Sequence, residues 1–219
     1  MFLVCDLCTL KDLLHTLHQG VSLCTIAALL TDHFNSKHPN QTLQELERCL
    51  FGAYMHYRTW CKEKKISGSS LRFNLNRFGK DSWQTAPEMT TQYKASTVKY
   101  MQYWLNDFLL GEPAVADSVN RCCCAYSLAM FQFMLDTCNE WLTREQADRT
   151  CGYGYNFLLF YQRLALRSRG EERRNYKIVP KFHYLFHLIE YIETTLRNPR
   201  LDMFMKNICK DNTSYAVIF

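Results

Sequence analysis

The sequence predicts a mainly α-helical fold, an irregular bundle of about six helices with at most one or two short strands. Two long stretches, 116–141 and 144–168, carry apolar residues at three- and four-residue intervals, which is the period of a helix that buries one face. The 219 residues contain no internal repeat and no low-complexity tract. Because 47% of them are hydrophobic and 14% aromatic, the chain can bury a substantial core. We therefore expect a single, mostly helical domain over residues 1–219.

Composition and charge limit the classes of function. The net charge of +5 is a mild basic excess, which permits contact with nucleic acid but does not require it. No stretch approaches the ~20 apolar residues of a transmembrane helix, and the N-terminus meets charged residues too early for a signal peptide. The eleven cysteines include three in a row, Cys122 to Cys124, which no simple disulfide framework explains. They predict reduced, mostly buried thiols in an intracellular protein without a membrane anchor.

Two stretches could form short strands. Residues 2–8 read FLVCDLC, a short apolar run whose Cys5 and Cys8 are best explained as structural, because a lone CxxC is a weak zinc signal. Within the irregular stretch 66–91, residues 71–78 alternate between apolar and polar, which fits a strand or a short helix.

The first helical region covers residues 10–34. Gly20 interrupts its period, so the region is either two helices or one helix with a kink. Thr42 and Glu45 then form a capping-box pattern, which predicts the start of a helix over 43–64.

Three further helices are predicted in the second half of the chain. They cover about 92–110, 116–141 and 144–168, and the last begins at a second capping box, Thr143 with Gln146. The middle helix is apolar on most sides, so we expect it to lie centrally.

The last predicted helix lies in the stretch Tyr176–Arg200. Its first four residues are extended, Pro180 fits a first helical turn, and the apolar residues that follow keep the helical period until Asn198. His183 and His187 are four residues apart and share one helix face. They could bind a metal ion with a third ligand, or they could be hydrogen-bonding residues of the helix surface.

Basic residues are concentrated between the last two predicted helices. Glu171 and Glu172 are the acidic residues among them. Such a run either contacts phosphates or is a solvated loop. The candidate nucleic-acid-binding residues are Arg163, Arg167, Arg169, Arg173, Arg174, Lys177 and Lys181.

Three pieces of sequence together resemble a known family. DLLHTLHQGV, TTQYKASTVKYMQYWLNDFL and YKIVPKFHYLFHLIEYI, with NPR close behind the last, occur in this order. They are similar to eukaryotic transposon-encoded proteins of the DDE transposase type, which have an RNase H-like core and a large helical insertion. The first piece resembles the family's D-x-LH-x-x-x-x-G segment and the last its PK-x-H-x-x-x-HL helix. The resemblance covers most of residues 10–200.

The resemblance implies a site residue and a metal. Asp12 matches the second catalytic acid, which would help to hold Mg²⁺ or Mn²⁺ for phosphodiester transfer, and His15 lies one turn beyond it. The family's first acid would lie upstream of residue 1, and Asp202 and Asp211 are no convincing match for its third. The resemblance therefore implies the helical insertion and C-terminal part of a mobile-element transposase, as a fragment or a decayed copy, with DNA as partner and a nuclear location.

Three functions remain open from the sequence. The first is a catalytically inactive, transposase-derived fragment that binds nucleic acid without sequence preference. The second is a helical protein-interaction or scaffold module without chemistry. The third is a metal-dependent enzyme that uses Asp12, His183 and His187.

Overall fold

The computed structural model describes residues 13–170 and 174–200, and it confirms the mainly α-helical prediction. A π-helical segment, Leu14–Val21, continues directly into the first α-helix. The six α-helices are α1 Ser22–Lys37, α2 Leu43–Glu63, α3 Ala95–Gly111, α4 Ser118–Thr137, α5 Arg144–Arg169 and α6 Pro180–Thr195. Within these ranges the β-type pairing is one isolated bridge, between Trp141 and Arg197. No helix among the described residues combines the length and the apolar character needed to cross a lipid bilayer.

Local side-chain contacts set the start of two helices. At α2, the Thr42 hydroxyl accepts from the Glu45 amide at 3.2 Å, and the Glu45 carboxylate accepts from the Thr42 amide at 2.6 Å. At α5, Thr143 and Gln146 form the same reciprocal pair at 3.1 and 2.9 Å. Both capping boxes predicted from the sequence are confirmed, since each satisfies amides that the first helical turn leaves without an intrahelical partner.

Gly20 marks a close crossing between the π-helical segment and α6. A Cβ atom at this position would lie 2.9 Å from the backbone oxygen of His15 and would overlap the Lys181 side chain. The Lys181 ammonium donates to the Gln19 carbonyl at 2.8 Å. The helix is continuous through residue 20. The absence of a side chain at Gly20 allows the π-helical segment and α6 to approach each other closely.

Residues 66–94, between α2 and α3, form turns, so the strand or short helix predicted over 71–78 is wrong. Phe73 and Phe78 are nevertheless almost fully buried. Phe73 packs between Tyr57 of α2 and Trp104 of α3, with ring centroids 5.9 and 5.7 Å away. Their burial gives this connection a hydrophobic anchor without a ladder of backbone hydrogen bonds.

Packing among α3, α4, α5 and α6 completes the core. α4 packs against α3 and α5, α5 also packs against α6, and α6 contacts the π-helical segment. The buried face of α6 is formed by Phe182, Leu185, Leu188, Ile189 and Ile192. The central position predicted for α4 is confirmed by these neighbours, although three apolar residues of its outer side, Val119, Tyr126 and Phe133, are exposed.

Candidate nucleic-acid interface and the buried Asp32 cluster

The structure divides the seven predicted basic residues into three groups. Arg163, Arg169 and Arg174 are exposed, and none of the three forms an ion pair with a described residue. Arg167, Lys177 and Lys181 are engaged in contacts within the fold. Arg173 lies outside the described residues, as do the predicted strand over 2–8, Cys5 and Cys8.

Residues 174–179, which precede α6, are docked on the connection 66–94. The Lys177 ammonium lies 2.6 Å from the Glu88 carboxylate, and the Arg174 amide donates to the Trp83 carbonyl at 2.9 Å. Lys80 is 2% exposed, and its ammonium donates to the carbonyls of Thr85 and Arg174 at 2.6 and 2.9 Å. A buried ammonium needs such acceptors, because an unpaired one would carry a large desolvation cost.

Asp32 of α1 is the centre of a buried polar cluster. Its carboxylate accepts from Arg121 of α4 at 2.7 Å and from Arg167 of α5 at 3.0 Å. It also accepts from the Asn175 amide group at 3.1 Å and from the Tyr176 hydroxyl at 3.0 Å. We call these five residues the Asp32 cluster. The cluster joins α1, α4, α5 and the segment after α5 through one carboxylate.

Further contacts hold the cluster in place. Arg121 is fully buried, and its guanidinium also donates to the Ser36 hydroxyl at 3.0 Å and to the Ala116 carbonyl. Arg167 forms a second ion pair, with Asp117 at the start of α4. The cluster therefore neutralises a buried acid with two guanidinium groups, the arrangement that makes ionised groups tolerable inside a protein.

One of the predicted nucleic-acid-binding residues takes part in this cluster. Arg167 donates to the buried Asp32 carboxylate, as does the Tyr176 hydroxyl. Burial and the neighbouring Asp32 carboxylate raise the pKa of the Tyr176 phenol well above its ordinary value. Sequence reasoning missed Asp32 and Arg121. The sequence signal that could have found them is an isolated charge in an apolar helix: Asp32 is the one acidic residue of α1, and Arg121 is the one basic residue of α4.

The two histidines of α6 form a pair at the protein surface. The Nε2 atoms of His183 and His187 are 2.9 Å apart, and their rings meet edge to face. His187 Nδ1 lies 2.8 Å from the carboxylate of Glu190. His183 is exposed and His187 is half-buried.

The pair alone does not fit the Mg²⁺ or Mn²⁺ ion that the transposase resemblance implies. These ions prefer carboxylate, carbonyl and water oxygens, and the neighbouring carboxylate is engaged by His187 Nδ1. Across residues 13–170 and 174–200, no group of three histidine, cysteine or acidic side chains is arranged to hold a metal ion. Asp12, the predicted third ligand and catalytic acid, lies outside the described residues.

The cysteines of the described residues are free thiols. Cys24, Cys124, Cys138 and Cys151 are buried, whereas Cys122 and Cys123 are half-buried. Burial raises the pKa of Cys24 and of Cys151 to about 12, so both are protonated, unreactive thiols at neutral pH. The three consecutive cysteines, predicted to be reduced and mostly buried, are free thiols of α4, of which Cys124 is buried and the other two are half-buried.

The chain matches no family model, no curated protein and no solved structure. The relation to DDE transposases therefore stays a prediction that depends on three short motifs.

Proposed function

We propose that this chain is a catalytically inactive, transposase-derived helical module that binds nucleic acid through phosphate contacts. The observation that carries the binding proposal is the exposure of Arg163, Arg169 and Arg174 without acidic partners among the described residues. The first two lie in the last two turns of α5, and the third follows shortly after that helix. Guanidinium groups free to reach phosphate oxygens supply affinity without reading base sequence.

Not all of the predicted basic residues can be substituted to test nucleic-acid binding alone. Because Arg167 is bound to Asp32 and Lys177 to Glu88, substituting either would remove an ion pair of the fold as well as any nucleic-acid contact. Arg163 lies over the Phe160 ring, 5.6 Å from its centroid, and is exposed. The exposed arginines are therefore the residues whose removal tests binding without removing an internal ion pair.

Replacing the three exposed arginines should reduce the salt dependence of binding. In Arg163→Gln/Arg169→Gln/Arg174→Gln, three fewer counterions are released, so the slope of log Kobs against log salt should fall by about two to three. The measurement is fluorescence anisotropy with a labelled duplex and a labelled single strand of unrelated sequences. We expect little difference between sequences of the same strandedness.

A matched control separates a defined surface from net charge. Arg48, Lys62 and Lys64 of α2 and its C-terminus are also exposed, so Arg48→Gln/Lys62→Gln/Lys64→Gln loses the same charge elsewhere. It should keep the wild-type slope. An equal loss of slope in both variants would indicate diffuse attraction only, and no binding by the wild type at low salt would reject the proposal.

A second candidate function, a protein-interaction module, is favoured by one feature of α4. Val119, Tyr126 and Phe133 are 72%, 44% and 46% exposed, and Cys123 and Met130 lie half-buried between them. We call these five residues the α4 stripe. Their spacing of four, three, four and three residues is that of a coiled-coil seam, and the stripe contains no charged residue.

A second copy of the chain is the occupant that suits this stripe. In an antiparallel pairing centred on Tyr126, Val119 faces Phe133 and Cys123 faces Met130, so a small side chain meets a larger one on both sides of the central pair of Tyr126 rings. No like charges oppose each other along the seam. Exposed aromatic residues in such a row are typical of an interface.

Self-association should depend on the α4 stripe. We expect concentration-dependent dimers in sedimentation velocity, and loss of these dimers in Tyr126→Ser/Phe133→Ser. The control is Phe51→Ser/Met55→Ser, which removes two apolar residues of α2 that are 43% and 50% exposed. A wild type that stays monomeric but is destabilised by the α4 substitutions would mean that a segment of the same chain covers the stripe.

A further inference from the structure

The histidine pair of α6 has a geometry that the proposed function does not use. His183 and His187 lie one helical turn apart, and their Nε2 atoms are separated by 2.9 Å. The Glu190 carboxylate lies against the other ring nitrogen of His187, at 2.8 Å. The three residues therefore form a chain from carboxylate to imidazole to imidazole at the surface.

Glu190 determines which nitrogen of His187 can act as a ligand. A carboxylate accepts hydrogen bonds, so it holds the proton of neutral His187 on Nδ1 and leaves the lone pair on Nε2. In the absence of a metal ion, His183 Nε2–H donates to that lone pair at 2.9 Å, so metal binding requires the His183 proton to move to Nδ1 of the same ring. A carboxylate behind a histidine is the outer contact that commonly orients metal-bound imidazoles in proteins.

The separation of the two nitrogen atoms is close to that of two adjacent metal ligands. With metal–nitrogen bonds of about 2.05 Å, two ligands at 90° are about 2.9 Å apart, whereas two at the tetrahedral angle are about 3.3 Å apart. The observed 2.9 Å is the length of the hydrogen bond between the rings, and it is also compatible with two neighbouring positions of a square-planar or octahedral site. Imidazole ligands in such geometries favour Cu²⁺ or Ni²⁺.

We propose that His183 and His187 form a surface chelate for a divalent transition-metal ion of the Cu²⁺ or Ni²⁺ type, with Glu190 as the positioning residue. The two imidazoles supply adjacent ligands, and water or a group from a bound partner completes the coordination. This site uses imidazole nitrogens, whereas the site for Mg²⁺ or Mn²⁺ that the transposase resemblance implies uses carboxylate oxygens.

The test is isothermal titration calorimetry of the full chain with Ni²⁺. Ni²⁺ is used in place of Cu²⁺ because Cu²⁺ would oxidise free thiols, and a non-chelating reductant keeps the cysteines reduced. We expect one site per chain, and at least a tenfold loss of affinity in His183→Ala and in His187→Ala. Glu190→Gln should weaken Ni²⁺ binding by about 10- to 100-fold while both ligands remain. Mg²⁺ should produce no saturable heat in the wild type.

Two comparisons make the result specific. His38→Ala removes an exposed histidine near the end of α1 and should leave Ni²⁺ affinity unchanged. All these variants keep every cysteine. Ni²⁺ binding that persists with wild-type affinity in His183→Ala and His187→Ala would therefore indicate thiol ligands and would overturn the proposal. Zn²⁺ binding tighter than Ni²⁺ binding would overturn the assignment of a 90° geometry.

Discussion

Replacing Asp32 with alanine is expected to lower the free energy of unfolding by about 3–5 kcal/mol, because it leaves the buried Arg121 guanidinium without its carboxylate and removes one of the two carboxylates that pair with the half-buried Arg167. Arg121 is fully buried and has no other acidic partner among the described residues, whereas Arg167 keeps its ion pair with Asp117. The side-chain amide of Asn175 and the hydroxyl of Tyr176 also lose an acceptor. Urea denaturation monitored by circular dichroism measures the change.

Controls for the Asp32 substitution follow from the structure. Asp148 of α5 is 61% exposed and lies 3.9 Å from Arg144, so Asp148→Ala removes an ion pair at the surface and should cost less than about 1 kcal/mol. Asp32→Ala/Arg121→Ala should cost less than the sum of the two single substitutions, because the second change removes a charge that the first left unpaired. A loss below about 1 kcal/mol in Asp32→Ala would show that the cluster contributes little beyond packing.

Substituting the two glycines of α5 by alanine should shift stability in opposite directions. Gly154 is buried against α6, and a Cβ atom there would lie 2.6 and 2.8 Å from two side-chain carbons of Ile189 and 3.3 Å from Phe131. Gly152, two residues earlier, has no atom within 4 Å of that position. Both residues lie within the same helix, so the gain in helix propensity, about 1 kcal/mol, is common to both.

The difference between the two alanine variants therefore measures packing. Gly152→Ala should raise the free energy of unfolding by up to about 1 kcal/mol. Overpacking at Gly154 costs about 1–3 kcal/mol, so Gly154→Ala should lie below Gly152→Ala by that amount. Adding Ile189→Val, which removes the nearest carbon, should recover part of the loss. Equal stability of Gly152→Ala and Gly154→Ala would mean that α5 and α6 are less closely packed than the structure indicates.

The sequence by itself determined the helices and several of their ends. Apolar residues at helical intervals predicted the helices, and the capping boxes at Thr42 and Thr143 were readable because their partners are three residues away. These signals are local, since the residues involved interact within one or two turns. The same holds for His183 and His187, whose shared face follows from their spacing.

Only the tertiary structure decided which charged residues are available at the surface. In the sequence, Asp32 is 89 residues from Arg121 and 135 residues from Arg167, the two partners of its ion pairs. No periodicity indicates that the helices of these residues meet. A run of seven basic residues predicted one surface, but a buried acid elsewhere in the chain engages one of them and Glu88 another. Burial of a charge requires a partner from wherever the fold can supply it, and this requirement is satisfied by the packing of whole helices.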